Sequence, residues 1–180
     1  MPSAGFSVLR RAVASAPAHR LQPGSLPYFR REEMNLIYDE KITYSGPVAQ
    51  GDTPADIAGI LRRLPAAFPD ALARLMKWRR CTVEELAEYA LASTKKIQRL
   101  RTDMMPTPGV DMLISLSVAL RWPPAILQAM MQRAGRSFLP IEKDVVYQEL
   151  QPEAYRLGLS MYQFNQTLSA HGFKPIGQFD

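Results

Sequence analysis

Chemistry is concentrated in one short stretch of this chain, where Thr94, Lys95, Lys96, Gln98, Arg99 and Arg101 surround Ile97 and Leu100. Four cations with no acid between them suit a phosphate backbone, which is bound by charge neutralisation and counterion release. The Gln98 amide can pair bidentately with adenine, and a lysine ammonium can reach guanine. In a helical conformation Ile97 and Leu100 share one face and the six polar residues turn away from it. Thr94, Lys95, Lys96 and Gln98 are then candidates for base edges, and Arg99 and Arg101 for phosphates. A merely solvated helix face has the same composition, so the neighbouring elements carry the meaning.

Those elements have local signatures. Thr82 is an N-cap residue, and Glu85 three positions on completes a capping box. Val83, Leu86, Ala87 and Ala90 then fall on one helical face. Leu91-Ala92 leaves no room for a long loop before Ser93, a second N-cap that opens the 94–101 segment. Two short helices joined by a turn of three or four residues make a helix-turn-helix, whose second helix can enter a DNA major groove.

Residues 72–122 resemble the Xre/phage-repressor type of helix-turn-helix domain, which has five helices in about this length. The resemblance takes in Leu72 and Leu75 on a first helix, the Thr82–Ala87 opening of the second and Ser93 to Leu100 on the third. Pro108 precedes a fourth helix ending Ser117-Val118-Ala119-Leu120, and Pro123-Pro124 opens a fifth through Ala134. It implies an all-α, lambda-repressor-like five-helix bundle over 67–135 with helical flanking segments. Leu72, Leu75, Leu86, Ala87, Ile97, Leu100, Leu116 and Leu120 would form its core. It also implies double-stranded DNA as the partner, bound by a homodimer reading half-sites about 34–36 Å apart. Two departures keep a second function open. Val83 stands where family members often carry a Gln that reaches the DNA backbone, and Arg101-Thr102-Asp103 replaces a common Glu-Asn-Gly. The alternative is a protein-interaction module that keeps the fold without operator binding and takes another protein as partner.

The flanks are less explicit. Residues 1–33 read as a disordered basic leader or an over-extended start: Pro17, Pro23 and Pro27 break any long helix, although the Arg- and Ser-rich, acid-poor composition is also that of an organellar transit peptide. Within 34–66, the even spacing of Leu36, Tyr38, Ile42 and Tyr44 predicts a short strand or a hairpin turning at Asp39-Glu40. Ile57, Ile60, Leu61 and Leu64 predict a helix stopped by Pro65 and packed on the outside of the bundle. After Gly135 and Pro140, residues 136–180 read as a C-terminal helical extension. Val146, Tyr147 and Leu150 share a face over Lys143–Leu150. Ser160 and Gln163 form another capping box, leading a helix with Phe164 and Leu168 inward and Gly172 as its stop. This arrangement, ending Asn165…Leu168…Gly172-Phe173-Lys174-Pro175-Ile176-Gly177, resembles the C-terminal extension of some bacterial Xre-type regulators, which occur fused to or near ImmA/IrrE-type metallopeptidases.

Charge and composition narrow the classes. Arg10, Arg11, Arg20, Arg30 and Arg31, with no acid among residues 1–31, account for the whole net charge of +5. Residues 74–101 are locally basic too: Arg74, Lys77, Arg79, Arg80, Lys95, Lys96, Arg99 and Arg101 face only Glu84, Glu85 and Glu88. Such a patch on a helix-turn-helix is the footprint of a phosphate-binding surface. The one cysteine, Cys81, excludes a disulfide framework or a Cys-rich zinc site within the chain. No apolar run approaches the roughly 18 residues of a membrane span, and a cytoplasmic protein without a membrane partner is expected. A metallopeptidase needs the His-Glu-x-x-His spacing, whereas the only histidines are His19 and His171. His171 beside Gly172 reads as a helix C-terminal residue, and Cys81 as a small semi-buried thiol. Met104-Met105 and Met130-Met131 read as core filling. No enzyme activity, metal or cofactor is expected.

Overall fold

Side chains that accept from the backbone three residues on mark where half of the helices among the described residues begin. In the computed structural model, residues 52–102 and 107–177 are described; the basic leader, the strand or hairpin expected over 35–44, Asp103 and Met104-Met105 lie outside them. Thr53 and Asp56 form a capping box that starts α1 (Pro54–Arg62). α2 (Phe68–Arg79) begins instead with Pro69 in its first turn. The capping box of Thr82 and Glu85 starts α3 (Val83–Tyr89), and the Ser93 hydroxyl accepts from the Lys96 amide at 3.3 Å to start α4 (Thr94–Arg101). α5 (Val110–Ala119) and α6 (Pro124–Arg133) follow. The chain continues into α7 (Glu142–Leu157) and then α8 (Met161–Ala170), opened by the capping box of Ser160 and Gln163 and closed by His171. Every regular element among the described residues is a helix.

α5 is the axis of the packing. Every residue from Leu113 to Leu120 is buried, as befits a helix that is apolar nearly all round. Its two buried serines bond back to their own helix, Ser115 to the Asp111 carbonyl at 3.1 Å and Ser117 to that of Ile114 at 2.8 Å. α6, α7 and α8 pack against α5, while α4 packs against both α2 and α3. All eight expected core residues are buried: Leu72, Leu75, Leu86, Ile97, Leu116 and Leu120 completely, Ala87 and Leu100 nearly so. Tyr147, Leu150, Phe164 and Leu168 from the last two helices enter the same apolar cluster. α1 lies outside, on α6. Arg133 of α6 holds the chain leaving α1, donating to the carbonyls of Pro65 at 2.6 Å and Leu64 at 3.2 Å.

The apolar pattern ends at Leu150, but α7 runs seven residues further, through Pro152. An interior proline removes one helical hydrogen bond at a cost of about 3 kcal/mol or more. Contacts made elsewhere offset that loss. Gln151 is buried and donates to the Trp122 carbonyl at 2.7 Å, Ala154 enters the core, and the Tyr155 hydroxyl donates to Asp52 at 3.1 Å.

Three non-glycine residues, Arg80, Leu91 and Arg121, take a left-handed conformation just past a helix end. Arg80 is the exposed one, at φ 52. Arg80→Gly relieves about 1–2 kcal/mol of steric cost against roughly 0.4–1 kcal/mol of added unfolded-state entropy. The melting temperature should rise by a few degrees in a calorimetric scan, and a fall would contradict the backbone assignment. No helix of the described residues is long and apolar enough to cross a membrane.

Candidate nucleic-acid interface

α4 spans eight residues, roughly 12 Å at the usual rise. Ile97 and Leu100 are its anchor, both buried against the rest of the bundle. Thr94, Lys95, Gln98 and Arg99 are exposed, whereas Lys96 and Arg101 are half-buried. The six candidate residues thus lie on one short helix, four of them exposed. Arg101 is the most constrained: its Nε is buried and meets no hydrogen-bond partner. Beyond it, the Thr102 hydroxyl donates back to the Gln98 carbonyl at 3.0 Å and finishes the helix.

The turn aiming α4 is the short one expected, Ala90 to Ser93. Ala90 and Ala92 are buried, and the Ala92 amide returns to the Ala87 carbonyl at 2.9 Å. Leu91 sits between them at φ 51, a conformation glycine takes more readily, with its half-buried side chain against the core. Val83, just after the α3 N-cap, is also half-buried against that core. It packs and has no polar atom to offer a phosphate.

The arrangement of charge on α4 is unusual for a free-standing helix. Its first turn has no acid and carries Lys95 and Lys96, beside the positive end of the helix dipole; Arg99 and Arg101 occupy the favourable last turn. Each misplaced cation costs about 0.3–1 kcal/mol when exposed. On the neighbouring α2, Arg74 and Lys77 are exposed, as is Arg80 just past its end.

Arg79 does not belong to this surface, and here the sequence reading needs correction. Its guanidinium is buried and forms a two-pronged ion pair with Asp52, at 2.9 and 2.6 Å, while donating to the carbonyls of Leu120 at 2.9 Å and Arg121 at 2.6 Å. Asp52 also accepts from Tyr155, whose phenol is pushed up by burial first and by the Asp52 charge second. A buried charge must be paired and hydrogen-bonded in this way to be tolerated. The signal was present in the spacing: Leu72, Leu75, Met76 and Arg79 recur at helical intervals on the inward face of α2, all buried.

Cys81 precedes the α3 N-cap, where a helix N-terminus can lower a thiol pKa. Burial, reinforced by the nearby Glu85 charge, instead pushes the thiol up to about 12. At about pH 8 roughly one molecule in ten thousand would then carry the thiolate. A thiol-specific disulfide reagent should react orders of magnitude more slowly with the native protein than with the denaturant-unfolded chain; equal rates would place the thiol at the surface. The His171 ring nitrogen lies 2.8 Å from the Thr167 carbonyl at the end of α8. No group of three or more His, Cys, Asp or Glu side chains converges as a metal site among the described residues. Compared with family models, with curated proteins and with solved structures, the chain matches none.

Proposed function

We propose that this protein is a sequence-specific DNA-binding transcriptional regulator of the Xre type, cytoplasmic and non-catalytic, that lays α4 in the major groove of double-stranded DNA. In this reading α2 to α6 are the five helices of a lambda-repressor-like domain, and a homodimer reads two half-sites. One observation carries it: α4 is held by Ile97 and Leu100 and presents four cations with no acid, two of them in the first turn. That placement works against the helix in isolation. A polyanion lying along the face reverses the sign, because its negative field favours the Lys95 and Lys96 charges. Arg99 and Arg101 suit phosphates; Thr94, Lys95, Lys96 and Gln98 suit base edges.

Base reading and charge neutralisation separate experimentally. Gln98→Ala should narrow the gap between preferred and random DNA by roughly 1–3 kcal/mol. Arg101→Ala should weaken both alike, because a phosphate contact positions the protein without reading bases. Preferred sites selected from a random oligonucleotide pool supply the DNA for both measurements. If the folded protein enriches no motif, the regulator reading fails.

A protein-interaction module is the second reading, and a separate feature favours it. A groove of about 420 Å³ runs between α6 and α7, floored by Leu127, Met131 and Tyr147. Just beyond Phe138 at its edge, Leu139 and Ile141 are 55% and 49% exposed. Exposed apolar side chains beside an apolar groove suit a protein surface better than a phosphate backbone.

A further inference from the structure

The segment that follows α8, residues 172–177, reaches the turn that aims α4. After α8, Gly172 at φ +82 reverses the backbone, and the Phe173 amide returns to the Leu168 carbonyl at 3.2 Å. Ile176 is buried, and Asn165 of α8 grips its backbone from both sides. The Asn165 amide nitrogen donates to the Ile176 carbonyl at 2.9 Å, and the Ile176 amide donates to the Asn165 side-chain oxygen, also at 2.9 Å. Asn165 is itself buried, so losing either bond strands a polar group away from water.

The next residue, Gly177, touches the α3–α4 turn. A Cβ on Gly177 would lie 2.5 Å from the Ala90 carbonyl oxygen, 3.1 Å from the Ser115 hydroxyl and 3.4 Å from the Leu91 Cβ. Its φ is +72. Glycine is required here twice over, by the backbone conformation and by an approach too close for any side chain. Ala90 ends α3, Leu91 is the left-handed residue of the turn, and Ser115 belongs to the central α5. The tail therefore bridges the core helix and the one backbone bend that sets the angle of α4.

We infer that the C-terminal tail is the mount of the recognition helix: Ile176 and Gly177, fixed by Asn165, hold the Ala90–Ser93 turn and so position α4 for its target. Gly177 and Asn165 are positioning residues that act through the turn without touching DNA. The functional consequence rests on the DNA-binding reading; the mechanical one does not. The turn has backbone bonds of its own, Leu91 amide to Glu88 carbonyl at 3.2 Å and Ala92 amide to Ala87 carbonyl at 2.9 Å, and a strap across its left-handed leucine removes the alternatives.

Hydrogen exchange and DNA affinity, both measured on the full chain, test this. Gly177→Ala adds one methyl group against the Ala90 carbonyl. Gly135→Ala is the matched control, since Gly135 also has positive φ (+59) but meets nothing within 4 Å of its Cβ position. Gly177→Ala should speed exchange of the amides of Leu91, Ala92, Lys96 and Ile97 roughly tenfold relative to Gly135→Ala, a local opening rather than a global one. Asn165→Leu should do the same by releasing Ile176. Affinity for the selected DNA should fall roughly tenfold, the scale of losing one base pair of readout, with the salt slope unchanged because no phosphate contact is removed. Equal exchange over 91–97 in the Gly177→Ala and Gly135→Ala variants would overturn the mount. If the unaltered protein binds no DNA, the regulator reading falls, and the exchange comparison still decides whether the tail holds α4.

Discussion

Changing Lys95, Lys96, Arg99 and Arg101 together to alanine should lower the log–log salt slope of DNA binding by at least about 1.8, at roughly 0.9 for each phosphate that Arg99 and Arg101 neutralise. Between about 50 and 200 mM salt those two contacts alone make affinity fall on the order of tenfold, a sensitivity the variant should lose. The fold should survive. None of the four is in the buried core, and alanine is the best helix former. Removing Lys95 and Lys96 also relieves the first turn of α4, so helical content should hold or rise. A fluorescence-anisotropy titration over a salt series, alongside circular dichroism, checks both halves. Tight binding by the quadruple variant, or a flat salt response in the unaltered protein, would shift the weight to the groove between α6 and α7 as the working surface.

Leu86→Asp should unfold the protein. Leu86 is fully buried at the centre of α3, a helix of seven residues. A helix that short is marginal in water and exists only through its packed face. Removing the leucine side chain costs about 2–5 kcal/mol in transfer and cavity terms, and an uncompensated carboxylate in its place adds several more. The total approaches the whole stability of a typical domain, about 5–15 kcal/mol. Circular dichroism should show loss of the cooperative melt. An unchanged melt would mean that α3 does not pack through Leu86, and the core assigned to α2–α5 would go with it.

The two short helices α3 and α4 and the turn between them were legible in the sequence because their determinants are local. A capping box is a contact between residues three apart, so Thr82 with Glu85 and Ser160 with Gln163 could be read directly, as could the Ser93 cap. Helical period alone placed Ile97 and Leu100 inward, leaving Lys95, Gln98 and Arg99 outside. What tertiary structure decided was the fate of groups whose partners lie far along the chain. Arg79 looked like one more cation of the basic face until Asp52, 27 residues before it, and the Leu120 and Arg121 carbonyls claimed it. An interior proline such as Pro152 ordinarily breaks a helix, yet α7 continues because Gln151 and Tyr155 bond to Trp122 and Asp52. Gly177 carries no periodic signal at all; its meaning is the carbonyl of Ala90, 87 residues earlier. Spacing along a helix reports which residues share a face, but the partner on the other side of that face is chosen only when the chain closes on itself.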